Sequence, residues 1–258
     1  MNIVTIIQAR MSSTRLPGKV LLDLGGRPML AHVVERARRA QTADLVVVAT
    51  TQDPSDEAIA NLCQQRGYPC YRGSLHDVLD RYYQAAQLFK ADVIVRVTAD
   101  CPLLDPEVVD KTVREFLGQG QEFPYDFVAN RLPQPWGRTY PIGLDTEVCS
   151  FAGLELAWKE AQLPHQREHV MPFFYDQPER FRIKLVINDG PDYGSLRWTV
   201  DTPQDLELVR QIFNHFTGRQ FFSWLEVLAL FEREPELANI NAAIKAKDYR
   251  QVDSRRND

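Results

Sequence analysis

Over its first 117 residues the chain alternates short apolar runs with longer stretches of helical periodicity, and this alternation constrains the fold more than any other feature. Ile3–Ile7, Leu45–Ala49 (LVVVA) and Val93–Val97 (VIVRV) read as buried strands, with a shorter one near Cys70–Tyr71. Between them Pro28–Arg39, Ser55–Arg66 and His76–Phe89 read as helices, and Pro106–Leu117 follows the last strand. Ser55 is a candidate N-cap, and Pro28 suits a first helical turn. Strands apolar on both faces and separated by helices imply a parallel sheet covered on both sides. Ligands of such sheets sit beyond the carboxyl ends of the strands. That rule selects two loops, Gln8–Gly18 and Thr98–Asp105.

Beyond residue 118 the pattern changes. Gly118–Gly143 is rich in Gly, Pro, Gln and aromatics and reads as a long irregular connection, a kind of segment that is often functional. Helices are expected at Phe151–Ala161, Gln166–Tyr175, Pro203–Phe213, Phe221–Phe231 and Glu236–Lys247, and strands at Arg182–Ile187 and Leu196–Val200. The polar tail Asp248–Asp258 is expected to fray. A chain of 258 residues, 44% hydrophobic, can bury one sizeable core. Its net charge of −5 argues against broad binding to nucleic acid or membrane surfaces. Cys63, Cys70, Cys101 and Cys149 form no CxxC pair and read as reduced thiols. With no signal-peptide pattern and no apolar run of the roughly 20 residues a membrane span needs, the expectation is a cytoplasmic protein.

Three segments carry chemistry. The first, QARMSSTRLPGK at residues 8–19, holds Arg10, Arg15 and Lys19, and no carboxylate precedes residue 23. Ser12, Ser13, Thr14 and Gly18 lie among these cations. Hydroxyls and backbone amides beside guanidinium and ammonium groups suit a polyphosphate. A solvated loop with surface cations is the alternative. Neither GxxxxGK[ST] nor GxGxxG is present, and Gly25–Gly26 reads as a turn. In the second, RVTADCPLLDP at residues 96–106, Asp100 lies just past a buried strand and reads as a Mg²⁺ ligand, with a turn-forming role as the alternative. Asp105 reads as the cap of the following helix, and Cys101 as a packed thiol. In the third, LRWTVDTPQDLELV at residues 196–209, Asp201 ends an apolar run and reads as an N-cap, as a second ligand of the same metal, or as both.

These segments resemble the sugar-activating cytidylyltransferases, the group that makes CMP-Kdo and CMP-sialic acid, and in particular their SpsF spore-coat polysaccharide branch. The likeness continues through GSLHDVLDRYYQAA (73–86), VRVTADCPLLDP (95–106), PIGLDTEVCSFAGLELAWKEA (141–161), QREHVMPFF (166–174) and LRWTVDTPQDLELVR (196–210). It implies a three-layer α/β/α fold, the GT-A-like nucleotide-diphospho-sugar transferase arrangement with a mixed, mainly parallel sheet. It also implies a catalytic domain over residues 1–215 and a helical extension over 216–258 packed on it. The implied reaction moves CMP from CTP to a sugar and releases pyrophosphate, with Mg²⁺ as cofactor.

On the matching positions, Arg10, Arg15 and Lys19 would contact the triphosphate, and Asp100 and Asp201 would bind Mg²⁺. Gln8 and Ala9 would help to form the base or ribose pocket, with Asp77, Arg81 and Arg96 near the nucleotide. Asp145, Glu147, Arg167, Glu168, His169 and Arg197 would lie on the acceptor side. The acceptor half diverges from the CMP-Kdo and CMP-sialic acid enzymes, so the sugar is not carried over. His169 also reads as a buried helix histidine, Arg197 and Glu168 as structural ion-pair members, and Trp136 as a core or lid residue. Partners are CTP and a sugar, without nucleic acid or membrane, and relatives of this kind are commonly homodimers. Two rivals stay open: a glycosyltransferase, although the nearest approach to Asp-x-Asp is Asp145–Thr146–Glu147, and a non-catalytic nucleotide-binding module.

Overall fold

The computed structural model describes residues 1–120, 122–245 and 248–252. Strand β1 (Ile3–Gln8) leads through a loop and a 3-10 turn (Lys19–Leu21) into a small hairpin, β2 (Asp23–Leu24) and β3 (Arg27–Pro28). Helix α1 (Met29–Ala37) follows, and then β4 (Leu45–Thr51), α2 (Glu57–Arg66), β5 (Cys70–Gly73), α3 (Val78–Leu88), β6 (Val93–Thr98) and α4 (Pro106–Leu117). The second half adds β7 (Phe127–Ala129), β8 (Glu147–Ser150), α5 (Phe151–Glu160), α6 (Pro164–His169) and α7 (Pro172–Tyr175). It ends with β9 (Ile183–Leu185), α8 (Pro203–His215) and α9 (Trp224–Arg233).

Among the described residues, seven strands form one sheet in the order β5-β4-β1-β6-β8-β7-β9. The pairs β1–β4, β1–β6, β4–β5 and β7–β9 are parallel, and β8 is antiparallel to both its neighbours. Side chains alternate across a strand, so β1 feeds both faces. Ile3 and Ile7 join Leu30, Val33, Ile59 and Val109 from α1, α2 and α4 on one side. Val4 and Ile6 join Leu79, Tyr82 and Leu154 from α3 and α5 on the other. The result is the three-layer α/β/α architecture. A third core packs α8 and α9 against Leu24, Leu103 and Trp198. There the Trp224 amide donates to Asp105 Oδ2 at 2.9 Å, and Arg36 donates to the Phe222 carbonyl at 3.0 Å. No described helix is long and apolar enough to cross a membrane.

Several local expectations are corrected. The Gly118–Gly143 segment contains β7, and β8 follows it, both too short to show a clear period. Leu196–Val200 is not a strand: it makes one isolated bridge, Arg197 to Ile142, and both the Trp198 and Thr199 amides donate to the Ile142 carbonyl. The helix expected over Gln166–Tyr175 is broken at Val170, which has φ 71° and ψ −64°. Ser55 does not cap α2; Asp53 accepts from the Ser55 amide and starts the 3-10 turn that precedes it. In place of a helix over Glu236–Lys247, Pro235–Asn239 forms a 3-10 turn, and residues 246–247 lie outside the described residues. The tail does not fray over 248–252: Tyr249 packs edge-on against Tyr175 and His165, and its hydroxyl donates to Asp176 Oδ1 at 3.2 Å. The rest of that tail, 253–258, lies outside the described residues.

Candidate active site

Both neighbours of β1 run parallel to it, and the chain reaches them in opposite directions across the sheet. The crevice expected at such a point lies between the ends of β1 and β6, where Gln8 pairs with Thr98. Tyr82, fully buried on α3, clamps that junction by donating its hydroxyl to the Ile6 and Val97 carbonyls at 3.1 and 3.2 Å. Above it opens a cleft of about 860 Å³. Among the described residues nine arginine and lysine side chains and six carboxylates line it, an inversion of the chain's acidic balance that suits an anionic ligand.

The loop after β1 is folded on itself. The Met11 carbonyl accepts from the Ser13 and Gly18 amides, both at 2.9 Å, and the Met11 amide donates to Asp56 Oδ1 at 2.7 Å. Gly18, at φ 71°, supplies the left-handed turn that sends Lys19 inward. Lys19 is buried, and its three N–H donors are all satisfied. Its Nζ lies 2.7 Å from Asp100 Oδ2, 2.8 Å from Asp201 Oδ1 and 2.9 Å from the Val200 carbonyl.

Asp100 and Asp201 therefore converge, although they are far apart in sequence. Backbone contacts explain how. The Val200 amide and the Thr199 hydroxyl both donate to the Asp100 carbonyl, at 2.8 and 3.1 Å. Asp201 does not cap α8. That role falls to Thr202, in a reciprocal capping box with Asp205. Asp201 is left facing the cleft, where its Oδ2 takes Arg15 at 2.9 Å and Arg197 at 2.7 Å. Burial works against the Asp201 carboxylate, but Lys19, Arg15 and Arg197 outweigh it and hold its pKa at about 2. Burial likewise works against the Lys19 ammonium, and the two aspartates outweigh it and raise the pKa above its ordinary value. The donor set around this point is hard oxygen, of the kind that suits a small divalent cation completed by phosphate oxygens and water.

The other half of the cleft is a second charged group. Arg96 pairs with Glu147 across the β6–β8 register and donates to Gln8 Oε1 at 2.9 Å. Arg138 grips Asp145 at 2.8 and 3.3 Å, with Arg131 at 3.6 Å. Burial opposes ionisation of Asp145, yet Arg138 and Arg131 keep its pKa below the ordinary value. Arg81, buried on α3, donates to the Ser74 carbonyl, and burial lowers its pKa to about 10.

Most of the residues singled out from sequence meet in this cleft: Gln8, Ala9, Arg10, Arg15, Lys19, Arg81, Arg96 and Asp100, together with Asp145, Glu147, Glu168, His169, Arg197 and Asp201. Ser12, Asp77 and Arg167 are not among the residues of its wall. Asp77 caps α3 and is bound by Arg167 at 2.5 and 3.1 Å, a pair that ties α6 to α3. Arg197 reaches back to Asp205 as well as forward to Asp201, so it holds Asp201 in place. His169 combines both readings, lining the cleft while its Nε2 meets the Gln251 carbonyl at 3.0 Å. Sequence reasoning missed Arg131, Arg138, Tyr175 and the strap 248–252. Only the two arginines left a signal, as charges in the otherwise uncharged stretch RLPQPWGR.

Comparison with known proteins shows the family to which the chain belongs. The family model for cytidylyltransferases matches residues 4–230. The spore coat polysaccharide biosynthesis protein SpsF of Bacillus subtilis is 32% identical over 92% of this chain and 97% of its own. A cytidylyltransferase structure from Leptospira borgpetersenii superposes with a TM-score of 0.84 at 32% identity, covering 96% of this chain and all of that one. A CMP:2-keto-3-deoxy-manno-octonic acid synthetase solved with CTP shares the fold, with a TM-score of 0.63 at 22% identity over 84% of this chain and all of its own. This chain belongs to the cytidylyltransferase family.

Proposed function

We propose that this member of the family transfers CMP from CTP to a sugar acceptor and releases pyrophosphate, with Mg²⁺ as cofactor, as a cytoplasmic step of surface-polysaccharide biosynthesis. The observation that carries the reading is the meeting of Asp100 and Asp201 on Lys19 and Arg15 at the β1–β6 crevice. A Kdo-like or nonulosonic acid is one candidate acceptor, by analogy with the fold neighbour solved with CTP.

In this reading an acceptor oxygen attacks the α-phosphorus, a P–O bond forms on that side, and the bond to pyrophosphate breaks in line. Arg15 and Lys19 neutralise the departing pyrophosphate, a task of positioning and charge compensation. Asp100 and Asp201 hold Mg²⁺, which supplies Lewis-acid charge to the phosphate oxygens when bound. Arg197, fixed by Asp205, keeps the Asp201 carboxylate oriented. The Arg138–Asp145 pair faces the acceptor side, and Arg96, which joins Glu147 to Gln8, borders the nucleotide.

The test is pyrophosphate release from CTP and Mg²⁺ with a panel of sugars, followed by mass spectrometry of the product. A CMP-sugar mass is the expected result, and stabilisation by CTP above UTP, GTP and ATP is expected in a thermal-shift screen. Asp100→Ala is expected to lose at least about a hundredfold in kcat, the scale seen when one transition-state electrostatic partner is removed. A folded Asp100→Ala protein with near wild-type turnover would refute the metal assignment.

A further inference from the structure

We propose that Lys19 is a gate coupling the divalent cation to the triphosphate: its ammonium holds the carboxylate pair that the cation needs, and the triphosphate draws it away. The proposal rests on the reading that Asp100 and Asp201 are the cation's ligands.

Every carboxylate oxygen of the pair is already engaged. Asp100 Oδ2 and Asp201 Oδ1 face the Lys19 ammonium at 2.7 and 2.8 Å. Asp100 Oδ1 accepts from the Thr98 hydroxyl at 2.6 Å, and Asp201 Oδ2 takes Arg15 and Arg197. A Mg²⁺ ion bridging the two carboxylates requires oxygens at about 2.0–2.1 Å. It would have to sit where the ammonium sits, so one must leave for the other to bind.

Charge decides which condition favours the exchange. Lys19, Arg15 and Arg197 face Asp100, Asp201 and Asp205, three cations against three anions. A bare divalent ion brings two more positive charges to a balanced, largely buried cluster and offers the displaced ammonium no new partner. A triphosphate with its cation offers one, because its oxygens accept the ammonium that has been released. The two kinds of side chain divide the work. Lys19 is a point charge on a flexible stem and can swing, whereas Arg197 is held through Asp205 and keeps Asp201 in position. Cation and nucleotide then bind as a unit, and by linkage each raises the other's affinity by the same factor.

The test is Mn²⁺ binding to the full chain, read from the free-ion EPR signal, with no nucleotide present. Lys19→Met and Lys19→Gln are expected to bind Mn²⁺ about 5- to 150-fold more tightly than the wild type, the usual span of site-to-site coupling. Adding Asp100→Asn to either variant is expected to remove the gain. Lys19→Gln keeps a polar group at the buried position, so the measurement survives if Lys19→Met fails to fold. Wild-type protein that binds Mn²⁺ alone as tightly as the Lys19 variants would overturn the gate, as would a gain that persists with Asp100→Asn. Pyrophosphate release from CTP by the wild type is scored separately. A failed acceptor panel therefore counts against the transfer reading, while the nucleotide-free Mn²⁺ comparison judges the gate.

Discussion

Asp201 shows how much one side chain can be asked to do. It faces three cations, and the depression of its pKa to about 2 has a consequence for stability. A carboxylate whose folded pKa lies below its unfolded value stabilises the fold above the unfolded pKa and loses that contribution as pH falls through the folded one. The window for Asp201 therefore runs from about pH 4 down to about 2. The stability gap between wild type and Asp201→Asn, measured by denaturant titration, is expected to be widest above that window and to close within it. A gap that stays constant would mean that Asp201 is not held by Lys19, Arg15 and Arg197. The residues of this cluster were legible in the sequence because isolated charges and the ends of apolar runs are local facts. Their partners were not. That Thr202 takes the capping role with Asp205 and frees Asp201 is a choice that Asp-Thr-Pro-Gln-Asp does not announce. Asp77 and Arg167 were expected in the site, yet they meet each other off the cleft wall, a contact across 90 residues.

At the scale of elements, two backbone positions carry the geometry of the cleft. Gly143 has φ +109°, and an added Cβ would lie 2.6 Å from the Thr199 nitrogen and 2.8 Å from the Trp198 carbonyl carbon. Both are backbone atoms and cannot yield as a side-chain tip would. Gly143→Ala is expected to cost about 1–3 kcal/mol from conformation alone and to push apart the crossing from which Asp145 and Asp201 both hang. Loss of turnover together with a lower Tm is the expected result, and full activity would show that the crossing tolerates displacement. Val170 is the opposite case. It is β-branched, fully buried, and sits at φ 71°, ψ −64°, the strained centre of a turn closed by the Met171 amide on the His169 carbonyl at 2.9 Å. Val170→Gly removes a side chain worth about 1.5–3 kcal/mol and releases about 1–3 kcal/mol of strain. Val170→Ala loses packing and keeps a disfavoured φ, so it is expected to be the less stable of the two by denaturant midpoint. The reverse order would show that the turn is unstrained. These positions also mark where the sequence stopped being readable. Strands β1, β4 and β6 were legible because they are apolar on both faces. The three- and four-residue strands β7 and β8 and the break at Val170 are set by tertiary contacts that leave no periodic trace.

The whole molecule closes its cleft from the far end of the chain. The described strap 248–252 lines the cleft beside Tyr175 and His169, on the side proposed for the acceptor. Its hold there is specific. Tyr249 is wedged edge-on at 5.4 Å from Tyr175 and 6.0 Å from His165, and the Gln251 carbonyl meets His169. An element that touches the side proposed for the acceptor is expected to affect only the acceptor. Tyr249→Ala removes an aromatic pair worth about 0.5–1.5 kcal/mol, which corresponds to a rise in acceptor KM of roughly two- to tenfold if the strap forms part of the sugar's binding surface. The KM for CTP is expected to stay at its wild-type value, because no strap residue reaches Lys19, Asp100 or Asp201 among the described contacts. Tyr249 also packs against the core that holds Tyr175 and Phe174, so a modest fall in Tm is expected beside the rise in acceptor KM. Steady-state kinetics with each substrate varied in turn separates the outcomes. A change confined to CTP would place the strap on the nucleotide instead. A fall in Tm with both KM values unchanged would make it a structural brace and leave the acceptor wall to Arg131, Arg138 and Tyr175.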